Sequence, residues 1–266
     1  MDPNSRKAIE DFVTSMQEVA RLIKQRNPDV IVAPMFGAVP FIDVLGVIDD
    51  AFPNEKVVYV PASNRVYRLR EVLRGTFQNV IREHIPLGGS LLSLDEVVSG
   101  NSLMRVYKQF EAARVAYANE ATVTTFGPDV DFRLPAVKEY RDALITSINY
   151  RSIGVVDSKL QRQGRQQNPE YQRLVDSHIV IPVQTPCIVT MDRPEFFPAR
   201  YKEQKDSEGR TVYLPVVEQF QVSQPYIDLL ITVADIMGKD RNVVTMHNLA
   251  RIRNSYQYVP EHLRHL

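Results

Sequence analysis

The chain has 266 residues, with 32 Lys plus Arg against 32 Asp plus Glu, so the formal net charge is zero and no global field favours nucleic acid or an acidic membrane. Hydrophobic residues make up 44% and charged residues 24%, the balance of a globular chain able to bury a sizeable core. The single cysteine, Cys187, excludes an intramolecular disulfide, fits a reducing cytosol, and sits in an apolar run that suits packing better than nucleophilic chemistry. The N-terminus lacks a signal-peptide pattern and no apolar run approaches the roughly 20 residues of a membrane span, so a cytoplasmic location without membrane insertion is expected.

Residues 5–26 carry Ile9, Phe12, Val13, Met16, Val19, Ala20 and Ile23 at helical spacing, and Asn27-Pro28 stops the run. A short apolar strand over 29–34 leads into the loop Met35-Phe36-Gly37-Ala38-Val39-Pro40, and a helix begins at 41 with Pro40 near its first turn. Residues 56–60 form a second strand, ended by Pro61. Residues 63–74 then hold Arg65, Arg68, Arg70 and Arg74 around Tyr67. Arginine suits bidentate contact with phosphate, and a solvated basic helix face accounts for the same residues. Arg65 and Arg68, nearest the strand end, are the preferred anion ligands.

The stretch from Leu91 to Ser102 is the most informative in the chain. Leu91, Leu92 and Leu94 suit a central parallel strand covered on both faces. Asp95-Glu96 lies at its carboxyl end, where open α/β sheets bind ligands. Ser99-Gly100-Asn101-Ser102 then opens a helix whose apolar face is Leu103, Val106, Tyr107 and Phe110. A short Gly/Ser loop feeding a helix N-terminus offers free N–H groups and a positive dipole end to phosphate. Acids beside it suit sugar hydroxyls or a Mg²⁺ that bridges phosphates. An ordinary strand, turn and serine-capped helix would read the same way. Gly88-Gly89 lacks the spacing of a dinucleotide site, and no Gly-Lys-Ser/Thr marks a P-loop.

Beyond the helix over 102–119, residues 121–126 read as a strand, 127–129 as a turn, 134–148 as a helix and 152–157 as a short strand with an acid at its end. The Gln-rich basic stretch 161–168 reads as a loop and marks a soft boundary. Residues 177–183 and 186–191 are strand-like, 192–198 form a Pro-bounded aromatic loop, 202–210 are charged and turn-rich, and 211–215 return as a strand. Together these suggest an antiparallel hairpin or small sheet. An amphipathic helix over 225–237 ends at Gly238, and another follows over 240–255. His247, His262 and His265 lack metal-ligand spacing and belong at the surface.

The order of parts between about 29 and 110, roughly a third of the chain, resembles the type I phosphoribosyltransferases, which use phosphoribosyl pyrophosphate (PRPP). Ser99-Gly100-Asn101-Ser102 matches that family's hydroxyl-rich loop residue by residue, and Gly37 with Val39-Pro40-Phe41 matches its pyrophosphate loop and helix start. The acidic pair departs from the pattern, because only Val97 and Val98 separate it from the loop where members usually have three residues. Either the loop is one residue short, or Asp95 is the second acid and Leu94 replaces the first. Val98 then stands where some members carry a catalytic acid.

The resemblance implies a mostly parallel open α/β sheet with flanking helices over 1–160, and over 161–266 a C-terminal α+β extension with a small antiparallel element that completes or caps the site. It implies Asp95 and Glu96 as catalytic acids on the ribose and as Mg²⁺ ligands. It implies Phe36, Gly37, Ala38, Arg65, Arg68, Val97, Val98, Ser99, Gly100, Asn101 and Ser102 as PRPP-binding residues, with the basic segment as a mobile lid. Asp157, Ser158 and Lys159 are its acceptor-side candidates. The implied activity is transfer of ribose 5-phosphate to a nitrogen acceptor such as a nucleobase, with release of pyrophosphate. The missing third acid keeps open a non-catalytic PRPP or nucleotide sensor, or a defence-type effector. The family's habit of dimerising, and an unfamiliar last third, leave a homodimer or a partner protein on that third as expectations. The acceptor is not readable.

Overall fold

The structure, a computed structural model, describes residues 5–159, 168–191, 196, 200–219, 222–244 and 256–264. Most of the expected loop over 161–168, the expected loop over 192–198 apart from Phe196, most of the expected helix over 240–255, and His247 and His265 lie outside the described residues. Helix α1 (Arg6–Arg26) is capped by Ser5, whose side chain accepts from the Ala8 amide, and ends at Asn27 in a left-handed conformation. The chain then alternates β1 (Val30–Met35), α2 (Val39–Ile48), β2 (Val57–Pro61), α3 (Leu69–His84), β3 (Gly89–Val97), α4 (Asn101–Phe126), α5 (Pro135–Ser147), β4 (Ile148–Asp157), α6 (Pro169–Asp176) and β5 (Val180–Thr185). It continues through β6 (Arg200–Lys205), β7 (Thr211–Gln219), α7 (Gln224–Ile236) and the short α8 (Glu261–Arg264).

Strands β1 to β5 form one sheet in the order β2-β1-β3-β4-β5, and every pairing is parallel. All six residues of β1 are buried, as a central strand covered on both faces requires. Helices α1, α2 and α7 pack together on one face, and α3, α4, α5 and α6 cover the other. The first crossover carries the chain from β1 to β2 at the sheet's edge, and the next returns it past β1 to β3. The strand order therefore reverses between β1 and β3, where the loops leaving the two strand ends diverge and open a crevice.

The parallel α/β sheet and the small antiparallel element are both present, but several local expectations are corrected. Residues 121–126 are not a strand: α4 runs on to Phe126. Thr122, Thr124 and Thr125 each donate a hydroxyl to the carbonyl four residues back, which absorbs these β-favouring side chains into a helix. The 177–183 segment supplies β5, which joins the parallel sheet beside β4 rather than an antiparallel one. Residues 186–191 form a turn, where Cys187, Ile188 and Val189 are buried and the Ile188 amide donates to Asp157 Oδ2 at 3.0 Å. The antiparallel hairpin is β6–β7, so 200–205 is strand where charge suggested only turn. A single 3₁₀ turn, Arg241–Val243, stands where a helix was expected to begin.

The C-terminal elements are built into the molecule. Besides β5 in the sheet, α7 is tied to α2 by the Tyr226 hydroxyl, which donates to the buried Asp43 Oδ2 at 2.6 Å. Tyr258 reaches α3 through its carbonyl, which accepts from Asn79, and through its hydroxyl at 2.8 Å from His84 Nε2. Among the described residues no helix is long and apolar enough to cross a membrane.

Candidate functional site

A cavity of about 400 Å³ opens at the carboxyl ends of β1, β2 and β3, at the reversal of strand order. Pro34 to Gly37 come from the end of β1, Ala62 to Asn64 from the end of β2, and Asp95, Glu96 and Val98 to Ser102 from β3 and the loop into α4. Arg105, one turn into α4, completes the lining.

Side chains alternate across a strand, so the two neighbouring acids straddle the end of β3 rather than forming a pair on one side. Asp95 shares its face with Ser93 and, across the register, with Tyr150 and Ser152 of β4. The Phe110 ring of α4 stacks on Tyr150 from that side, with centroids 4.8 Å apart. Glu96 points the other way, over Gly37: a Cβ at residue 37 would come within 3.2 Å of its carboxyl carbon. The glycine at the end of β1 is thus what lets the β3 acid lean across the crevice.

Asp95 is 3% exposed. Its Oδ1 accepts from the Glu96 amide at 2.9 Å, and its Oδ2 has no hydrogen-bond partner among the described residues. Burial, reinforced by Glu96, pushes its carboxyl up to about 8, while Ser102, the Glu96 amide and Arg105 pull the other way. A buried acid with an idle oxygen at the floor of a cavity is a group held ready for a cation or a hydroxyl donor.

The loop beside it presents donors. Gly100 caps α4 with φ +78°, and no side chain caps the helix. A Cβ on Gly100 would meet the Tyr171 ring at 2.5 Å, so conformation and space both demand glycine. Ser99 Oγ accepts from the Asn101 amide at 3.4 Å, which leaves its O–H to donate outward. Asn168 supports the loop from beyond: its amide donates to the Ser99 carbonyl at 2.9 Å and its side chain to Asn101 Oδ1 at 2.8 Å. Lys108 and Glu170 add an ion pair between α4 and α6.

Arg105 supplies the positive charge of the lining. It is half-buried, donates to the Ala62 carbonyl at 3.4 Å, and has its pKa lowered by burial and by Arg70, with Asp95 opposing. The hairpin steadies the neighbouring loops. Tyr201 of β6 packs on Phe36 with centroids 4.9 Å apart, and the Tyr67 amide donates to the Tyr213 carbonyl of β7 at 2.8 Å beside a Val66–Tyr213 bridge.

Comparison of the chain with protein-family models, with curated proteins and with solved structures finds no match.

Of the residues singled out in the sequence, Phe36, Gly37, Asp95, Glu96, Val98, Ser99, Gly100, Asn101 and Ser102 meet at the cavity. Ala38 and Val97 are buried beside it, Val97 in a cluster with Leu103, Val156, Tyr171 and Val180. Arg65 and Arg68 are exposed and outside the lining, and Arg68 pairs with Glu71 at 2.7 Å. Asp157, Ser158 and Lys159 are also outside it. The Asp157 carboxylate accepts from the Lys159 and Ile188 amides, which braces the exits of β4 and β5. Sequence reading missed Arg105 and Asn168. Arg105 follows Ser102 by three residues, one helical turn, and that spacing was a usable signal. Asn168 carried none.

Proposed function

We propose that the chain is a phosphoribosyltransferase-like protein that binds PRPP with Mg²⁺ and transfers ribose 5-phosphate to a nitrogen acceptor such as a nucleobase, releasing pyrophosphate. The observation carrying this reading is the convergence on one cavity of the β1 loop, the β2 loop, the acids of β3 and the uncapped N-terminus of α4. In this reading Ser99 to Ser102 and the first amides of α4 hold the 5′-phosphate. The Phe36–Gly37 loop and Arg105 face the pyrophosphate, and Asp95 and Glu96 hold the ribose from its two sides.

The residues present fit Mg²⁺. Asp95 offers an idle buried oxygen and Glu96 reaches the lining from the opposite side of the strand end, while no group of three His, Cys, Asp or Glu exists among the described residues. That donor set suits a cation that keeps waters and takes phosphate oxygens. Asp95 would hold it, with Glu96 left to the ribose on the other side of the strand end, and when bound it supplies Lewis-acid stabilisation of the leaving pyrophosphate. The chain's own part is to fix the sugar phosphate by its remote end, so that binding energy positions the reacting carbon. The C1–O bond breaks with its electron pair going to pyrophosphate, the C1–N bond forms from the acceptor's lone pair, the acceptor's N–H proton leaves to water or to the departing pyrophosphate, and the acids oppose the positive charge that develops on the ring.

A sensor that binds PRPP without turnover is the second reading. It is favoured by a lining whose titratable groups, among the described residues, are Asp95, Glu96 and Arg105, with no His or Lys beside them to take the acceptor's proton. Calorimetry with PRPP, with and without Mg²⁺, followed by an acceptor screen for pyrophosphate release, separates the readings. Binding with turnover supports the transferase, binding without turnover supports the sensor, and no binding at millimolar PRPP refutes both.

A further inference from the structure

The side-chain amide of Asn101 has one orientation that a chain of hydrogen bonds dictates, and that chain starts outside the loop. The Glu170 backbone amide is a donor that cannot reverse, and it donates to Asn168 Oδ1 at 2.9 Å as the cap of α6. With Oδ1 so engaged, Asn168 turns its Nδ2 toward the anion loop, 67 residues earlier in the chain, and donates to Asn101 at 2.8 Å. The atom receiving that bond must be an acceptor, so it is Asn101 Oδ1. Asn101 lines the cavity, and its Nδ2 has no partner among the described residues.

From this we infer that Asn168 is a positioning residue for phosphate recognition: it holds the Asn101 amide with its NH₂ edge, rather than its carbonyl, available to a phosphate in the cavity. The inference rests on the reading of the 99–102 loop as a phosphate cradle. It adds that the capping residue of α6 presents the Asn101 side chain to the cavity as a donor. A freely rotating asparagine would present its carbonyl lone pairs to an anion part of the time. The Asn168 amide, donating to the Ser99 carbonyl at 2.9 Å, holds the backbone of the same loop, so one residue sets both main chain and side chain.

The test uses the full chain, with ribose 5-phosphate as the phosphate monoester probe. Asn168→Asp keeps a good helix cap but replaces the donor by an acceptor, which turns the Asn101 carbonyl toward the cavity. Binding should weaken about tenfold or more, the loss of one hydrogen bond to a charged group. In an Asn101→Ala background the same substitution should cost at least about fivefold less, because no amide remains to reverse. Asn168→Ser, neutral and able to cap, should weaken binding by a smaller factor. In the wild type, the Asn101 side-chain NH₂ resonance should shift on titration, and in Asn168→Asp, with the amide reversed, that shift should be lost, a difference that a purely structural role of Asn168 does not produce.

Equal losses from Asn168→Asp in the wild-type and Asn101→Ala backgrounds would mean that the added charge acts directly, and would overturn the inference while leaving the phosphate reading intact. An unmoved NH₂ resonance during binding, or an Asn168→Asp variant that binds like wild type, overturns it in the same way. Failure of the wild type to bind ribose 5-phosphate overturns the phosphate reading and the inference together.

Discussion

Replacing Asp95 by asparagine keeps the shape of the cavity floor and removes a carboxyl that burial, with help from Glu96, lifts from 3.8 to about 8. The folded chain keeps a proton that the unfolded chain sheds at its ordinary pKa. The acid therefore favours the fold fully below about 3.8, loses that advantage as pH rises, and adds no further cost above about 8. Within that window each pH unit costs on the order of 1 kcal/mol, so the wild type loses a few kcal/mol through this group between pH 5 and 7. The asparagine variant loses none of it. Urea unfolding followed by circular dichroism at pH 5, 6, 7 and 8, in EDTA, measures the difference. The stability gap should move in the variant's favour by on the order of 1 kcal/mol per unit from pH 5 to 7 and by less between 7 and 8, where the folded carboxyl begins to ionise. Parallel pH profiles, with a gap constant to about 0.5 kcal/mol, would refute the buried, proton-holding carboxyl. In the proposed reading the same carboxyl must ionise to hold Mg²⁺. Calorimetry of Mg²⁺-PRPP at pH 7 in buffers of different ionisation enthalpy should then show proton release by the wild type and less by the variant.

Arg105→Gln should weaken PRPP binding about tenfold or more with little change in Tm, whereas Arg65→Ala and Arg68→Ala should each cost less than about threefold; calorimetry on the three variants decides, and a larger loss at Arg65 would move the anion contact to the exposed loop. Gly100→Ala combines a positive φ with a Cβ 2.5 Å from the Tyr171 ring, so it should destabilise by about 2–4 kcal/mol in urea unfolding. A loss below about 1 kcal/mol would show that α6 yields easily. Tyr226→Phe leaves the buried Asp43 without the hydroxyl at 2.6 Å and should cost about 1–3 kcal/mol in the same assay. An unchanged midpoint would mean that this contact between α2 and α7 adds nothing net.

What the sequence determined by itself was local. The helical run of α1, its stop at Asn27, the apolar β3 run and the Gly-bearing loop after it depend on neighbours within a few residues, where periodicity and turn chemistry act directly. The same local logic failed where residue propensity was not the deciding factor. The Thr-rich run at 122–125 reads as strand, but the neighbouring turns of α4 supply carbonyls for the Thr122, Thr124 and Thr125 hydroxyls, and Thr122 is fully buried. Cys187 to Val189 are apolar because they are buried in a turn, not because they pair in a sheet.

The site divides along the same line. Three loops with fitting residues were visible in the chain, but their meeting depends on the strand order, which places β1 between β2 and β3. Only the folded sheet leans Glu96 over Gly37, seats Tyr171 under Gly100, turns Arg105 toward the Ala62 loop and brings Asn168 to Asn101. These are contacts between residues far apart in sequence, and no local pattern records them, because the geometry that joins them is a property of the closed packing.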